Sequence, residues 1–185
     1  MVAKVQSFRQ AYQQRKVVRQ DVKALRRSSP ELDSIYRTTI KAARKENRGL
    51  KVFGAGVLLL GATNAITAAA QFVNGDPVMG TIFATGAVYG VAGGPQIIGQ
   101  ARNVEHRKAE QAVVRHLLGS TSLRQQYGSM LRAPTLKAYS DTLRTDQQYL
   151  GKSIQASKKS TATKIQQSRE NRRLLRHANT LMGNP

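Results

Sequence analysis

The feature that most constrains this chain is a 53-residue block with almost no charge. Residues 49–101 contain only two charged side chains, Lys51 and Asp76, although the 185-residue chain has a formal net charge of +20. Residues 1–48 carry a net +9, and residues 102–185 carry a net +11. Two uncharged stretches, 52–73 and 78–99, would each rise about 33 Å as helices, enough for a hydrocarbon core of roughly 30 Å. We therefore expect two apolar helices between two basic arms.

A concentrated turn signal separates the two apolar stretches. Asn74 and Gly75 tolerate positive φ, and Asp76 precedes Pro77, which suits the first turn of a new helix. A turn of four residues between two helices makes them antiparallel neighbours. The sequence therefore predicts a helical hairpin with transmembrane-type spans at about 52–73 and 78–99.

Small residues recur along both apolar stretches at spacings that bring them onto one helix face. Such residues let helix backbones approach closely in lipid. The predicted helix-packing residues are Gly54, Gly61, Ala65, Gly86, Gly90 and Gly94. Asn64 and several threonines add polar groups that could bond across helices or line a wet lumen. These patterns predict oligomerisation, and a conduit is one form it could take.

Two interpretations of the hairpin stay open: insertion into a membrane, or burial within a soluble assembly. The lack of charge over some fifty residues favours the membrane. Basic residues flank the hairpin, whereas its turn carries only Asp76, so both termini are expected on the cytoplasmic side if a translocon inserts it. Residues 1–27 are charged throughout and have no apolar core, so no cleavable signal peptide is expected there.

The arms are predicted to be helical, which makes the fold class all-α. Four segments are expected: a basic amphipathic helical arm over 1–48, the apolar hairpin over 49–101, an amphipathic helical segment over 102–151, and a basic tail over 152–185 that is a weak helix or disordered. Ser29 is predicted to cap a helix that starts at Pro30 and runs into the first span. Pro95 is predicted to kink or restart the second helix, and Ser122 with Gln125 to form a capping box.

The basic arms indicate a polyanionic partner. The predicted anion-binding residues are Arg44, Lys45 and Arg48 before the hairpin and Arg169, Arg172, Arg173 and Arg176 in the tail. Lysine and arginine neutralise phosphates without reading sequence, and no base-reading motif is present in the chain. Nucleic acid, bound non-specifically, and anionic lipid both fit these residues.

Residues for chemistry are few. The chain has no cysteine, three histidines and ten carboxylates. His106 and Glu110 share a helix face, but two ligands are too few for a metal site, and a surface ion pair is the expected arrangement. No phosphate-binding glycine loop or catalytic constellation is present. We expect no catalytic residues, no metal, no cofactor and no small-molecule substrate, and therefore no enzyme.

The organisation resembles the internal virion proteins, or ejection proteins, of short-tailed bacteriophages. The features that carry the resemblance are the Gly/Ala-rich hairpin 52–99, the sixteen glutamines and the basic helical arms. The resemblance implies a cysteine-free helical protein that is stored with packaged DNA and later inserts into the host envelope as part of a genome-delivery channel. It is one of organisation, and no residue role carries over by motif.

Three functions remain as hypotheses. The first is a non-enzymatic membrane-inserting hairpin protein that oligomerises in a phage ejection apparatus, located in the virion interior before insertion and in the membrane afterwards. The second is an accessory or scaffold subunit of a membrane complex, or a secreted effector anchored in a membrane. The third is a soluble, basic architectural protein that binds nucleic acid and has the apolar hairpin as its core.

Overall fold

The computed structural model describes residues 2–156 and 161–183, and the regular elements among them are all helical, which confirms the all-α fold class. The helices are α1 (Val2–Ser28), α2 (Pro30–Glu46), α3 (Arg48–Val73), α4 (Pro77–Gly119), α5 (Thr121–Tyr127), α6 (Ala133–Ala156) and α7 (Thr161–Leu181), with a 3₁₀ turn at Gly128–Met130. The chain forms two compact units, Thr38–Ala109 and the combination of Met1–Arg37 with Glu110–Pro185.

Two predicted helix starts have different outcomes. Helix α2 begins at Pro30 as expected, and the backbone N–H of Leu32 donates to the hydroxyl of Ser29 at 3.4 Å. The capping box predicted at Ser122 is wrong. Ser120 is the N-cap of α5, because α4 ends at Gly119 and the extended backbone of Ser120 turns the chain at once.

Two further predictions concern where helices are continuous and where they are interrupted. The expected run of α2 into the first span is interrupted at Asn47, whose backbone has φ −86° and ψ 6°. Of the kink or restart predicted at Pro95, the restart does not occur, since the 43-residue helix α4 contains Pro95 and continues to Gly119. Proline disfavours helix in the preceding residue partly by clashing with its Cβ, and Gly94 has none. The steric penalty is therefore reduced at this site.

The unit formed by Met1–Arg37 and Glu110–Pro185 has a leucine-rich core. Helix α6 packs against α7, and α1 packs against α6. The fully buried leucines are Leu25, Leu32, Leu117, Leu118, Leu136 and Leu174. The sequence had placed the residues of this unit in three segments.

A buried acid joins the two chain segments that form this unit. The carboxylate of Asp21 is 4% exposed and lies 2.6 Å from Nε of Arg132. It also accepts the backbone N–H of Arg132 at 3.1 Å and the hydroxyl proton of Thr135. The carboxylate therefore satisfies two donors at the start of α6, including the backbone N–H of Arg132, which has no acceptor within the helix.

Residues 161–181 of the basic tail are helical, which is one of the two states predicted for the tail. Leu174 and Ala178 are buried there, so packing against α6 supplies the stabilisation that the tail's composition does not predict. Residues 157–160 and 184–185 of the predicted tail lie outside the described residues.

The unit Thr38–Ala109 contains the end of α2, all of α3 and most of α4. Its buried positions are mostly small residues: Ala43, Gly54, Gly61, Ala68, Gly80, Ala87, Gly90, Gly94, Ala101 and Ala109. A core of glycine and alanine fills little volume, so the helices can approach closely, and their large side chains point outward.

Candidate functional site

The candidate site is the pair formed by α3 and the apolar part of α4, and glycines set the distance between them. A Cβ built on Gly61 would lie 2.6 Å from the backbone N of Val91 and 2.7 Å from Cα of Gly90. A Cβ on Gly94 would lie 2.7 Å from the carbonyl oxygen of Gly54. The contacts are made by backbone atoms, which cannot rotate away. The two helices therefore touch backbone to backbone.

The order of contacts along the pair shows that its helices run antiparallel. Gly54 faces Gly94 near one end, Gly61 faces Gly90 further along, and the Phe72 ring faces Gly80 beside the turn. Gly86 faces the amide of Asn64. Of the six predicted packing residues, the five glycines lie in this contact within one chain, whereas Ala65 is exposed.

The turn that connects the helices is built from its four predicted residues. Gly75 has φ +80°, a value that residues with a Cβ rarely adopt. A carboxylate oxygen of Asp76 accepts the backbone N–H of Met79 at 3.0 Å, which caps the start of α4 after Pro77. Asn74 N–H bonds back to the carbonyl of Ala70. The only charge of the turn is thus also a helix cap.

The threonines of the pair bond within their own helices. The hydroxyls of Thr63, Thr67, Thr81 and Thr85 each donate to the carbonyl four residues earlier, at 2.8–3.1 Å. A hydroxyl satisfied in this way can face hydrocarbon without an unmet donor. These residues therefore require neither a partner helix nor a wet lumen.

The outer surface of the pair is apolar. Ile66 is 74% exposed and Tyr89 is 76% exposed, and they lie within the apolar stretches 52–73 and 78–99. Other large exposed side chains on the pair are Val52, Phe53, Leu59, Leu60, Phe72, Val73, Val78, Met79, Ile82, Val88 and Val91. Soluble proteins rarely expose a contiguous apolar surface of this extent. Exposed apolar patches are typical of surfaces that contact membranes or other proteins.

One described helix, α3, is long and apolar enough to cross a membrane by length and composition, and only 17% of its most apolar stretch is buried. A core helix of a soluble protein is mostly buried, so α3 is unlike one. The apolar part of α4 falls short of the same criterion. Its glycines and Pro95 lower its hydropathy.

Opposite the turn, polar contacts hold the open end of the pair. The side-chain amide of Asn47 donates to the carbonyl of Ala101 at 3.4 Å. Nζ of Lys51 lies 2.6 Å from a carboxylate oxygen of Glu105, an ion-pair contact without the angle of a directed hydrogen bond. Glu105 is only 2% exposed. A second ion pair joins Lys108 to Glu46 at 2.7 Å.

Sequence reasoning missed Glu105, although a signal was present. Ala101 and Ala109 lie four residues before and after it and are both fully buried. Residues four apart share a helix face. An acid at the middle position of a buried face requires a cation nearby, and Lys51 is the single basic residue of the uncharged block.

The predicted anion-binding residues are divided between the two units. Arg44 lies 3.9 Å from Glu105 with its own side chain 62% exposed, and Lys45 and Arg48 are exposed beside it. The second group, Arg169, Arg172, Arg173 and Arg176, is exposed on α7. It lies opposite the buried face of that helix, and Arg173 donates to the carbonyl of Gly119.

A shallow groove of about 430 Å³ is lined by Ile35, Ala112, Gly119, Ser120 and three charged or titratable residues. Each of the three has a polar partner: Arg115 lies 2.9 Å from Glu170, and His116 lies 2.8 Å from Glu31. Among the described residues there is no cluster of three or more acidic or histidine side chains that could hold a metal ion. Nothing in the groove marks it as a reaction site.

Comparison with protein-family models, with curated proteins and with solved structures found no match. The function is therefore argued from the geometry and charges of this chain alone.

Proposed function

We propose that this chain is a non-enzymatic protein whose α3 and apolar part of α4 insert into a lipid bilayer as a helical hairpin. The observation that carries the proposal is the apolar outer surface of the pair, because large side chains point away from a core of glycine and alanine. In water such a surface is costly, at about 25 cal/mol for each Å². In the hydrocarbon core of a bilayer, an apolar outer surface is the expected arrangement.

The internal contacts of the pair support the same function. An inserting segment must satisfy its backbone groups within itself, and two helices do so. The threonine hydroxyls bond to their own helices, and the first charges lie at the ends of the pair. Glycine contacts hold the two helices together without help from the hydrophobic effect, which does not act between helices in lipid.

Assembly of several hairpins, and a place in a phage genome-delivery apparatus, are the finer part of this proposal. Support comes from the resemblance in organisation to ejection proteins and from the size of the uncovered apolar surface. Because the five glycines are used within the chain, contacts between chains must use the outer surface. Chemical cross-linking in vesicles should give a ladder of oligomers, and a monomer alone would refute the assembly.

Insertion is tested by mixing the purified full chain with lipid vesicles and floating them on a density gradient. Inserted protein should float and should resist extraction at high pH, which removes peripheral proteins. A chain that remains soluble and monodisperse at the bottom of the gradient would refute the proposal.

A matched pair of substitutions separates insertion from a general effect of charge. Ile66→Lys places a charge inside the apolar stretch of α3, about 5 Å from its centre. A charge at the centre costs about 3 kcal/mol on insertion scales, so floated protein should fall by up to about 100-fold. Tyr149→Lys is the control, since Tyr149 of α6 is also 74% exposed. It should leave flotation unchanged, and an equal loss in both variants would contradict a specific role of α3.

The exposed arginines of α7 favour a second candidate, a soluble protein that binds nucleic acid through phosphates. In that case the chain would not float but would retard duplex DNA in a strongly salt-dependent manner. Replacing Arg169, Arg172 and Arg176 with glutamine would then weaken retardation and reduce its salt dependence.

A further inference from the structure

A group of exposed cations lies at the open end of the hairpin. The Asn47–Ala101 and Lys51–Glu105 contacts place the end of α2, the start of α3 and residues 101–108 of α4 at one level. The exposed cations at this level are Lys45, Arg48, Arg102 and Arg107, here called the basic collar.

The charge of the basic collar is not balanced by the acids around it. Glu46 is paired with Lys108, and Glu105 is buried against Lys51. Within the described part of the chain, no ion pair involves Lys45, Arg48, Arg102 or Arg107. Four cations are therefore available to an external anion at this end.

We propose that the basic collar binds the phosphate groups of anionic phospholipids in the leaflet from which the hairpin inserts. This inference rests on the proposed membrane insertion. Val52 and Phe53, both exposed and apolar, follow Arg48 within two turns of helix. When they lie in hydrocarbon, the collar lies at the depth of the headgroups, and long basic side chains can extend to the phosphates.

The position of the collar favours lipid over nucleic acid as the anion. A duplex bound at the collar would leave the adjacent Val52 and Phe53 in water, whereas a lipid surface covers the cations and the apolar side chains together. The opposite end of the hairpin carries Asp76 and no cation. The charge is thus confined to one end, as recognition of a single anionic leaflet requires.

The test compares the intact chain with vesicles of phosphatidylcholine alone and vesicles containing phosphatidylglycerol. We expect much stronger binding to the anionic vesicles, and the preference should fall with added salt. Each basic residue near an anionic surface contributes about fivefold to binding. The variant Arg48→Gln/Arg102→Gln/Arg107→Gln should therefore lose about 100-fold in binding to the anionic vesicles and little in binding to neutral ones.

The matched control is Arg169→Gln/Arg172→Gln/Arg176→Gln, which removes three charges from α7. It should keep the preference for anionic vesicles, and circular dichroism should show both variants folded. Equal losses in the two variants would overturn the collar as the site. A collar variant that binds duplex DNA less tightly but keeps its binding to vesicles would also overturn it, in favour of nucleic acid.

The outcomes distinguish this inference from the function on which it rests. If the chain inserts equally into neutral and anionic vesicles, the collar inference fails and the proposed function stands. If it inserts into neither, the proposed function fails as well.

Discussion

The close contact of α3 with α4 predicts that one added methyl group at the contact will destabilise the helix pair. In Gly61→Ala, the added Cβ would lie 2.6 Å from the backbone N of Val91. Carbon contacts are optimal near 3.5–4.0 Å, so the helices must separate by about 1 Å. Overpacking of this kind costs about 1–3 kcal/mol.

The matched control is Gly56→Ala in the same helix, where a Cβ would meet nothing within 4 Å. Alanine is favoured over glycine in a helix by about 1 kcal/mol, and this gain is common to both variants. The difference between them therefore isolates the contact. We expect Gly61→Ala to have a free energy of unfolding about 1–3 kcal/mol below that of Gly56→Ala.

The absence of tryptophan from the chain allows an assay that reports on the hairpin alone. Phe72 lies against Gly80 beside the turn and is half exposed, so the substitution Phe72→Trp introduces one fluorophore with one face on α4 and the other open to solvent. Guanidinium titrations followed by this fluorescence, with both alanine variants in the Phe72→Trp background, give the comparison. Equal midpoints and slopes for the two variants would refute backbone contact at Gly61.

Three further predictions concern the other unit and are measured by chemical unfolding of the full chain. Asp21→Ala should lower the free energy of unfolding by about 3 kcal/mol, which is the lower end of the range for a broken buried ion pair, because the arginine partner is half exposed. The control Asp141→Ala breaks an exposed ion pair and should cost under about 1 kcal/mol. Burial raises the pKa of Tyr139, so the free energy of unfolding should not depend on this group below about pH 10 and should fall as the pH rises further. Tyr139→Phe should abolish that fall and leave neutral-pH stability equal or higher, because the buried hydroxyl has no partner among the described residues. A hydrogen bond from Arg26 lowers the pKa of Asp33, so stability from this group should be present above about pH 4 and lost as the pH falls further, and Asp33→Asn should have a flatter acid profile.

Local signals in the sequence predicted local structure well. The turn at 74–77 and the helix start at Pro30 each depend on residues within four positions of one another, and both were foreseen. The capping box predicted at Ser122 is wrong although its signal is also local, because Ser120 takes the N-cap position two residues earlier. Here the position of Gly119 decided between two equivalent serines.

Long-range partners were not predictable from the sequence. The spacing of Gly86 and Gly90 shows that another helix backbone can come close, but not which one. The sequence predicted a hairpin, but it did not assign these glycines to contacts within it rather than to contacts between chains. Asp21 and Arg132 are 111 residues apart, and no pattern connects them. The helix α7 likewise depends on burial of Leu174 in a core that only the folded chain provides.

The double use of Asp76 bears on the direction in which a hairpin could cross a bilayer. The tip must pass through the hydrocarbon, and each charge carried across raises the barrier by about 3 kcal/mol on translocon scales. Asp76 is the only charge near the tip, and its carboxylate already accepts a backbone N–H, so part of its hydration has been replaced. The opposite end would have to carry several cations through the same layer. If the pair inserts as proposed, the tip is therefore the end that crosses the bilayer, and the cost of moving the cations through the hydrocarbon would oppose reversal of that orientation.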